Sequence, residues 1–305
     1  MAVFQQMLIF TLLVMAGLYA RHKRLVTDES QAQISGIVVR IAYPAIILSG
    51  AITDEPHVTG TELLFTFGVT LALLIFLLAG AWILPRILRY EKKYYTVVNL
   101  MTMFSSIGFM GVPMIDALYG KGALIYITVF LIPFNLLFYS YAMTAIKGGA
   151  GGGFRLRDVL NEGMLACFLA VPLYLANVQV PYALQATLHM LGAMTAPLAM
   201  LLMGALLADM DWRGMFSDVR IWAFSLVKMI ILPAAVVLAL GRFVDSPVLL
   251  GVCMAAIATP VGNGLALLAA MYNKEAYPVS MKGITLTTLV APITMPIAYW
   301  LAGLA

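Results

Sequence analysis

Two stretches interrupt an otherwise apolar chain. The first reads Ser105-Ser106-Ile107-Gly108-Phe109-Met110-Gly111-Val112-Pro113 and the second Ala258-Thr259-Pro260-Val261-Gly262-Asn263-Gly264. Proline removes a backbone donor and collides with the preceding turn, and glycine lowers helix propensity, so a helix carrying either stretch is expected to split in two. In a bilayer the freed amides and carbonyls need partners from protein, water or ligand, so such breaks belong in the interior or along a cavity. A helix start offers unpaired amides and the positive end of the dipole, which suits a carboxylate, whereas loose carbonyls suit a sodium ion.

The candidate binding residues follow from these stretches: Ser105, Ser106, Gly108, Pro113, Pro260 and Asn263, joined by Asn135 and Tyr139, which are four apart and share a helix face. The competing role for the polar ones is interhelical hydrogen bonding that holds a bundle together. Two ionisable residues stand as ion-coupling or electrostatic candidates. Lys228 lies ten residues beyond Asp218, roughly 15 Å along a helix and about half the hydrocarbon thickness, where a charge is costly and needs a partner. Asp116 follows Pro113 by about one turn and reads either as a proton site or as an outer-end residue. Arg40 lies twelve residues beyond Asp28, and its long side chain is expected to snorkel to the interface.

Apolar helices must position these groups. Of 305 residues 63% are hydrophobic and 10% charged, against about 25% charged in a soluble domain. Apolar runs recur over 3–20, 31–53, 61–85, 94–119, 122–146, 160–177, 185–208, 218–241, 247–271 and 280–303, ten spans in all. The Gly-rich stretch 148–158 is too polar to span and reads as a cytoplasmic linker between five-helix halves at 1–147 and 159–305.

Lys and Arg sort to one side of this arrangement. That side receives Arg21, Lys23 and Arg24; Arg86, Arg89, Lys92 and Lys93; Lys147, Arg155 and Arg157; Arg213 and Arg220; Lys274 and Lys282, while the other receives only Lys121 and Arg242. Cytoplasmic loops retain the excess, so both termini are expected outside the cytoplasm. The first apolar run has its positive charge after it, unlike a signal peptide, and reads as a retained helix. An odd number of helices per half makes the second half an inverted copy of the first. Pro44 and Pro197, Pro85 and Pro233, and Pro113 and Pro260 recur at nearly equal offsets, in keeping with such a repeat.

The motif Gly108-Phe109-Met110-Gly111-Val112-Pro113, with Pro260, Asn135 and the Lys228 that precedes Pro233, resembles the auxin efflux carrier family of bacterial permeases along essentially the whole chain. The resemblance implies an all-α integral membrane fold of ten helices in two inverted repeats, with broken fourth and ninth helices crossing and a small carboxylate bound beside the crossing. Bacterial relatives are linked to malonate, malate and other small organic acids. Many carry asparagine two residues before the first glycine, where this chain has Ser106, whose hydroxyl can still bond a carboxylate.

The expected function is therefore that of a secondary carrier in the cell inner membrane, alternating access around the crossing. Its expected partners are a small organic anion and membrane lipid, with H+ or Na+ as alternatives for a coupling ion and a homodimer left open. No GxxxxGK[ST] motif supplies a nucleotide pump. A drug/metabolite-type exporter needs both termini inside, against the charge count, and an intramembrane enzyme needs clustered acids or histidines, whereas the 14 acidic residues lie mostly in loops. Scattered basic clusters give no nucleic-acid surface. Cys167 and Cys253 lie in apolar runs and His22, His57 and His189 form no ligand pair, so neither metal nor cofactor is expected.

Overall fold

A computed structural model describes residues 2–52, 58–147, 160–208 and 218–304. The stretch 148–158, expected as a linker, lies outside the described residues. Among the described residues seven helices are long and apolar enough to cross a membrane: α1 (Ala2–His22), α2 (Asp28–Ala51), α3 (Gly60–Ile87), α6 (Lys121–Ile146), α8 (Tyr182–Ala208), α9 (Val219–Leu240) and α12 (Tyr277–Leu301). Three apolar helices are shorter: α5 (Ile107–Tyr119), α7 (Glu162–Leu175) and α10 (Pro247–Ala258). Two further pieces, α4 (Tyr95–Met103) and α11 (Gly264–Tyr272), complete the fourth and ninth apolar runs. Among the described residues there is no β-strand, only an isolated antiparallel bridge between Ser105 and Val261.

Local signals explain several boundaries. Thr27 begins α2 as a capping box, its hydroxyl accepting from the Ser30 amide at 3.3 Å while the Ser30 hydroxyl accepts from the Thr27 amide at 2.8 Å. Wide π-turns occur at Val38–Ala42, Ile107–Gly111 and Val227–Ile231. Each is followed two residues later by a proline: Pro44, Pro113 and Pro233. A proline ring collides with the carbonyl four residues back, and the wider turn moves that carbonyl aside without ending the helix. Pro113 therefore lies inside α5.

The chain divides into two compact units, each drawing on both halves of the sequence. The first comprises Met1–Gly68, Gly108–Pro133 and Leu160–Met210. In it α1 packs along the second part of α8, and α2 packs against α7 and the first part of α8. Glycine makes the first of these possible: a Cβ on Gly17 would stand 2.1 Å from the Leu201 carbonyl oxygen, and one on Gly204 would stand 2.0 Å from that of Val14. Backbones in such contact gain the dispersion attraction that drives helix association in lipid.

The second unit comprises Val69–Ile107, Phe134–Val159 and Asp211–Ala305. Here α9 packs against α10 and α12, and α12 also contacts α4 and α11. Several polar residues of α12 are buried, with Ser280, Thr285 and Thr287 each almost fully covered.

Candidate functional site

The fourth apolar run breaks where α4 ends at Met103 and the backbone turns extended at Phe104 (φ −103°, ψ 103°). The ninth breaks where α10 ends at Ala258 and Thr259 is extended (φ −66°, ψ 151°). The two breaks meet within the second unit. The Ser106 amide donates to the Pro260 carbonyl at 2.7 Å, and the Gly262 amide donates to the Phe104 carbonyl at 2.9 Å. The Val261 amide donates to the Thr287 hydroxyl at 3.1 Å. Amides lost to two helices are thus paired between the breaks and with α12, as a low-dielectric interior requires. Gly262 permits the approach, since a Cβ there would lie 3.2 Å from the Ser105 carbonyl oxygen.

The structure opens the fourth run at the start of the interrupted stretch Ser105–Pro113, and it corrects the expectation that Pro113 marks the break. The helix opens instead at Phe104–Ser106, because the π-turn at Ile107–Gly111 absorbs Pro113 without a break. At the ninth span Pro260 does sit in the break. It has no amide for the Ala256 carbonyl, and the next amide, that of Val261, has gone to Thr287.

Lys228 projects into this meeting point from α9. It is 0% exposed, and its Nζ donates to the Ser105 hydroxyl and to the Ile257 carbonyl, each at 2.6 Å. The Ile257 carbonyl is the one that an unbroken α10 would have paired with the Val261 amide, so the lysine replaces a lost helical bond. Two short hydrogen bonds satisfy the buried amine, beside the negative end of α10.

Ser106 is also buried, at 3% exposure, and its hydroxyl has no hydrogen-bond partner among the described residues. Asn263 precedes α11, and its side chain does not cap that helix. Asn135 and Tyr139 are half-buried on α6, Tyr139 within a π-turn at Phe138–Ala142. Their neighbours Phe134 and Phe138 meet Phe104 edge to face, with ring centroids 5.5 and 5.1 Å apart.

Ser105, Ser106, Pro260, Asn263, Asn135, Tyr139 and Lys228 therefore all belong to the second unit. Gly108, Pro113 and Asp116 lie on α5 in the first. There Gly108 packs against the Tyr43 ring, 3.2 Å from where its Cβ would stand. Asp116 is nine residues past Ile107, about 14 Å of helix, and acts electrostatically on His189, whose ring touches Lys121 Nζ. Arg40 is largely exposed and pairs with Glu162 at 3.8 Å, as expected of a snorkelling side chain.

Sequence reasoning missed Phe104, Phe138 and Thr287, and the pair in which the Tyr141 hydroxyl donates to Asn99 Oδ1 at 3.0 Å. The run Thr285-Leu286-Thr287-Thr288 in an apolar helix was the available signal for Thr287.

Outside the spans, Tyr90 is buried beside the start of α9. Burial first, and the Asp218 carboxylate second, push its hydroxyl well above the usual tyrosine range, while Arg220 works the other way. Asp218 caps α9 at the Arg220 amide and pairs with Lys282 at 3.3 Å.

Apolar helices of spanning length, two interrupted runs joined through backbone bonds, and a fully buried lysine define a multi-pass membrane protein of the transporter class. The family described as membrane transport protein matches residues 2–155 and 150–299. The chain belongs to this family, that of the auxin efflux carriers whose motifs it carries. Among curated proteins no match was found.

Proposed function

We propose that this protein is a secondary carrier of a small organic anion, a mono- or dicarboxylate, that crosses the cell inner membrane ten times with both termini outside the cytoplasm. Residues 1–147 and 159–305 are inverted repeats, joined by a cytoplasmic linker at 148–158. Reciprocal packing supports the repeat: the first helix of the chain packs on α8, the second of the later half, while α7, the first of the later half, packs on α2.

The observation that carries the reading is the antiparallel join of the two breaks at Ser105 and Val261. Giving up helical bonds in two spans is costly unless the exposed polar groups are used, and such breaks are where transporters bind solute. Each break is followed by a new helix start, α5 after Ser106 and α11 after Asn263, each the positive end of a helix dipole. The anion sits beside the break, its carboxylate bonded by Ser106, Asn135 and Asn263, with Lys228 supplying positive charge nearby. Alternating access proceeds around this site.

The test is uptake of labelled malonate and malate into proteoliposomes. Uptake well above protein-free vesicles, reduced tenfold or more by Asn263→Ala and by Asn135→Ala at equal protein, is expected; a tenfold loss corresponds to about 1.4 kcal/mol of binding or barrier. Uptake of cationic or neutral solutes alone contradicts it.

A further inference from the structure

The breaks leave carbonyls behind as well as amides. Within α10, the Ala256 carbonyl has no amide to accept from at Pro260, and the Ile257 carbonyl has lost Val261 to Thr287. On α4, the Thr102 carbonyl has lost the Ser106 amide to Pro260. Two helix C-termini, each the negative end of a dipole, thus end at the break inside the second unit. Loose carbonyls and helix C-terminal ends of this kind coordinate Na+ in carriers with discontinuous helices.

Here a side chain holds that place. Lys228 Nζ sits 2.6 Å from the Ile257 carbonyl and 2.6 Å from the Ser105 hydroxyl, one partner from each break. It is 0% exposed, and among the described residues no carboxylate pairs with it. A buried ammonium bonded only to neutral oxygens has no counter-ion to explain it, and the helix ends supply the compensating negative potential. The lysine comes from a third helix, so its charge joins the two breaks without being part of either.

We infer that the Lys228 ammonium is the resident cation of the helix break, holding the position a Na+ ion would otherwise take. Resting on the carrier reading above, the consequence is that the anion is moved with no Na+ bound at this site. The protein carries its own counter-charge, and the coupling ion, where there is one, is not sodium at the break.

Thermal melting of the purified protein tests this, with Na+ replaced by choline at constant ionic strength. Wild type is expected to melt at the same temperature in both. Lys228→Ala is expected to melt lower in choline and to regain most of the loss with butylammonium or with Na+, but not with 1-butanol, which fills the same space without charge. A Na+-specific rise in wild type overturns the inference, and that arm does not depend on any variant folding. Recovery of Lys228→Ala by butanol as fully as by butylammonium also overturns it, as does a Lys228→Met protein that melts and binds anion like wild type.

The same samples titrated with malonate separate this inference from the carrier reading. A malonate response in wild type that requires Na+ contradicts the resident cation and leaves anion binding standing. No response to any organic anion, with the cation behaviour as expected, contradicts the substrate class and leaves the resident cation standing.

Discussion

The two units solve the same problem in opposite ways. In the first, α1 and the second part of α8 stay helical and gain stability by bringing backbones together at Gly17 and Gly204. In the second, two helices surrender bonds at Phe104–Ser106 and Thr259–Gly262 and recover them from one another, from Thr287 and from Lys228. Packing of the first kind resists change, since nothing there can be re-partnered. Bonds of the second kind can be exchanged for bonds to a solute at comparable cost, which is why a binding site is expected there. Mutations should therefore act on the first unit through volume and on the second through pairing.

The largest effect is expected at Gly17→Leu or Gly204→Leu. A new Cβ would strike a backbone carbonyl, which cannot swing aside, so the helices must part. Overpacking costs about 1–3 kcal/mol even where neighbours can yield, and these variants should exceed that, seen as loss of monodisperse protein in size-exclusion chromatography. A Gly17→Leu protein of normal melting temperature would break the contrast between the units.

Next comes Thr287→Val, which keeps the shape and removes the acceptor of the Val261 amide. An amide buried without a partner costs about 1–3 kcal/mol, so melting should fall while Thr285→Val, whose hydroxyl has no hydrogen-bond partner among the described residues, should be tolerated. Ser105→Ala is expected to cost a similar 1.5–3 kcal/mol or so, because it removes one of two bonds to a buried ammonium. Equal tolerance of Thr287→Val and Thr285→Val would show that pairing does not govern this unit.

The smallest effect is expected at Tyr90→Phe. The hydroxyl is buried and has no hydrogen-bond partner among the described residues, so its removal gives up no bond and relieves a desolvation cost. Stability should be unchanged or rise by up to about 1 kcal/mol. A large fall would mean that the hydroxyl is held by a group the geometry does not reveal.

The helices were legible in the sequence because a bilayer demands long apolar runs, and among the described residues they begin and end within a few residues of the expected limits, seven of them long and apolar enough to cross a membrane. The ninth break was legible from Pro260 between small residues. The fourth lies at the start of the expected stretch Ser105–Pro113, but Pro113 does not mark it: that proline is absorbed by a π-turn, and the helix opens at Phe104–Ser106. Burial of Lys228 followed from its distance to Asp218. Its partners did not, since Ser105 and Ile257 lie 123 and 29 positions away, and only folding brings them together. The asparagines of the expected site lie in the second unit with the break, and Asp116 lies in the first.

The most direct test of the proposed carrier is isothermal titration of purified protein with malonate, malate and their uncharged diamides, on wild type and Asn263→Ala. Saturable heat with the dicarboxylates, absent with the diamides and weakened at least tenfold by the substitution, is the predicted result. Equal binding of acid and amide, or anion binding untouched by Asn263→Ala, would contradict a carboxylate held beside the helix break.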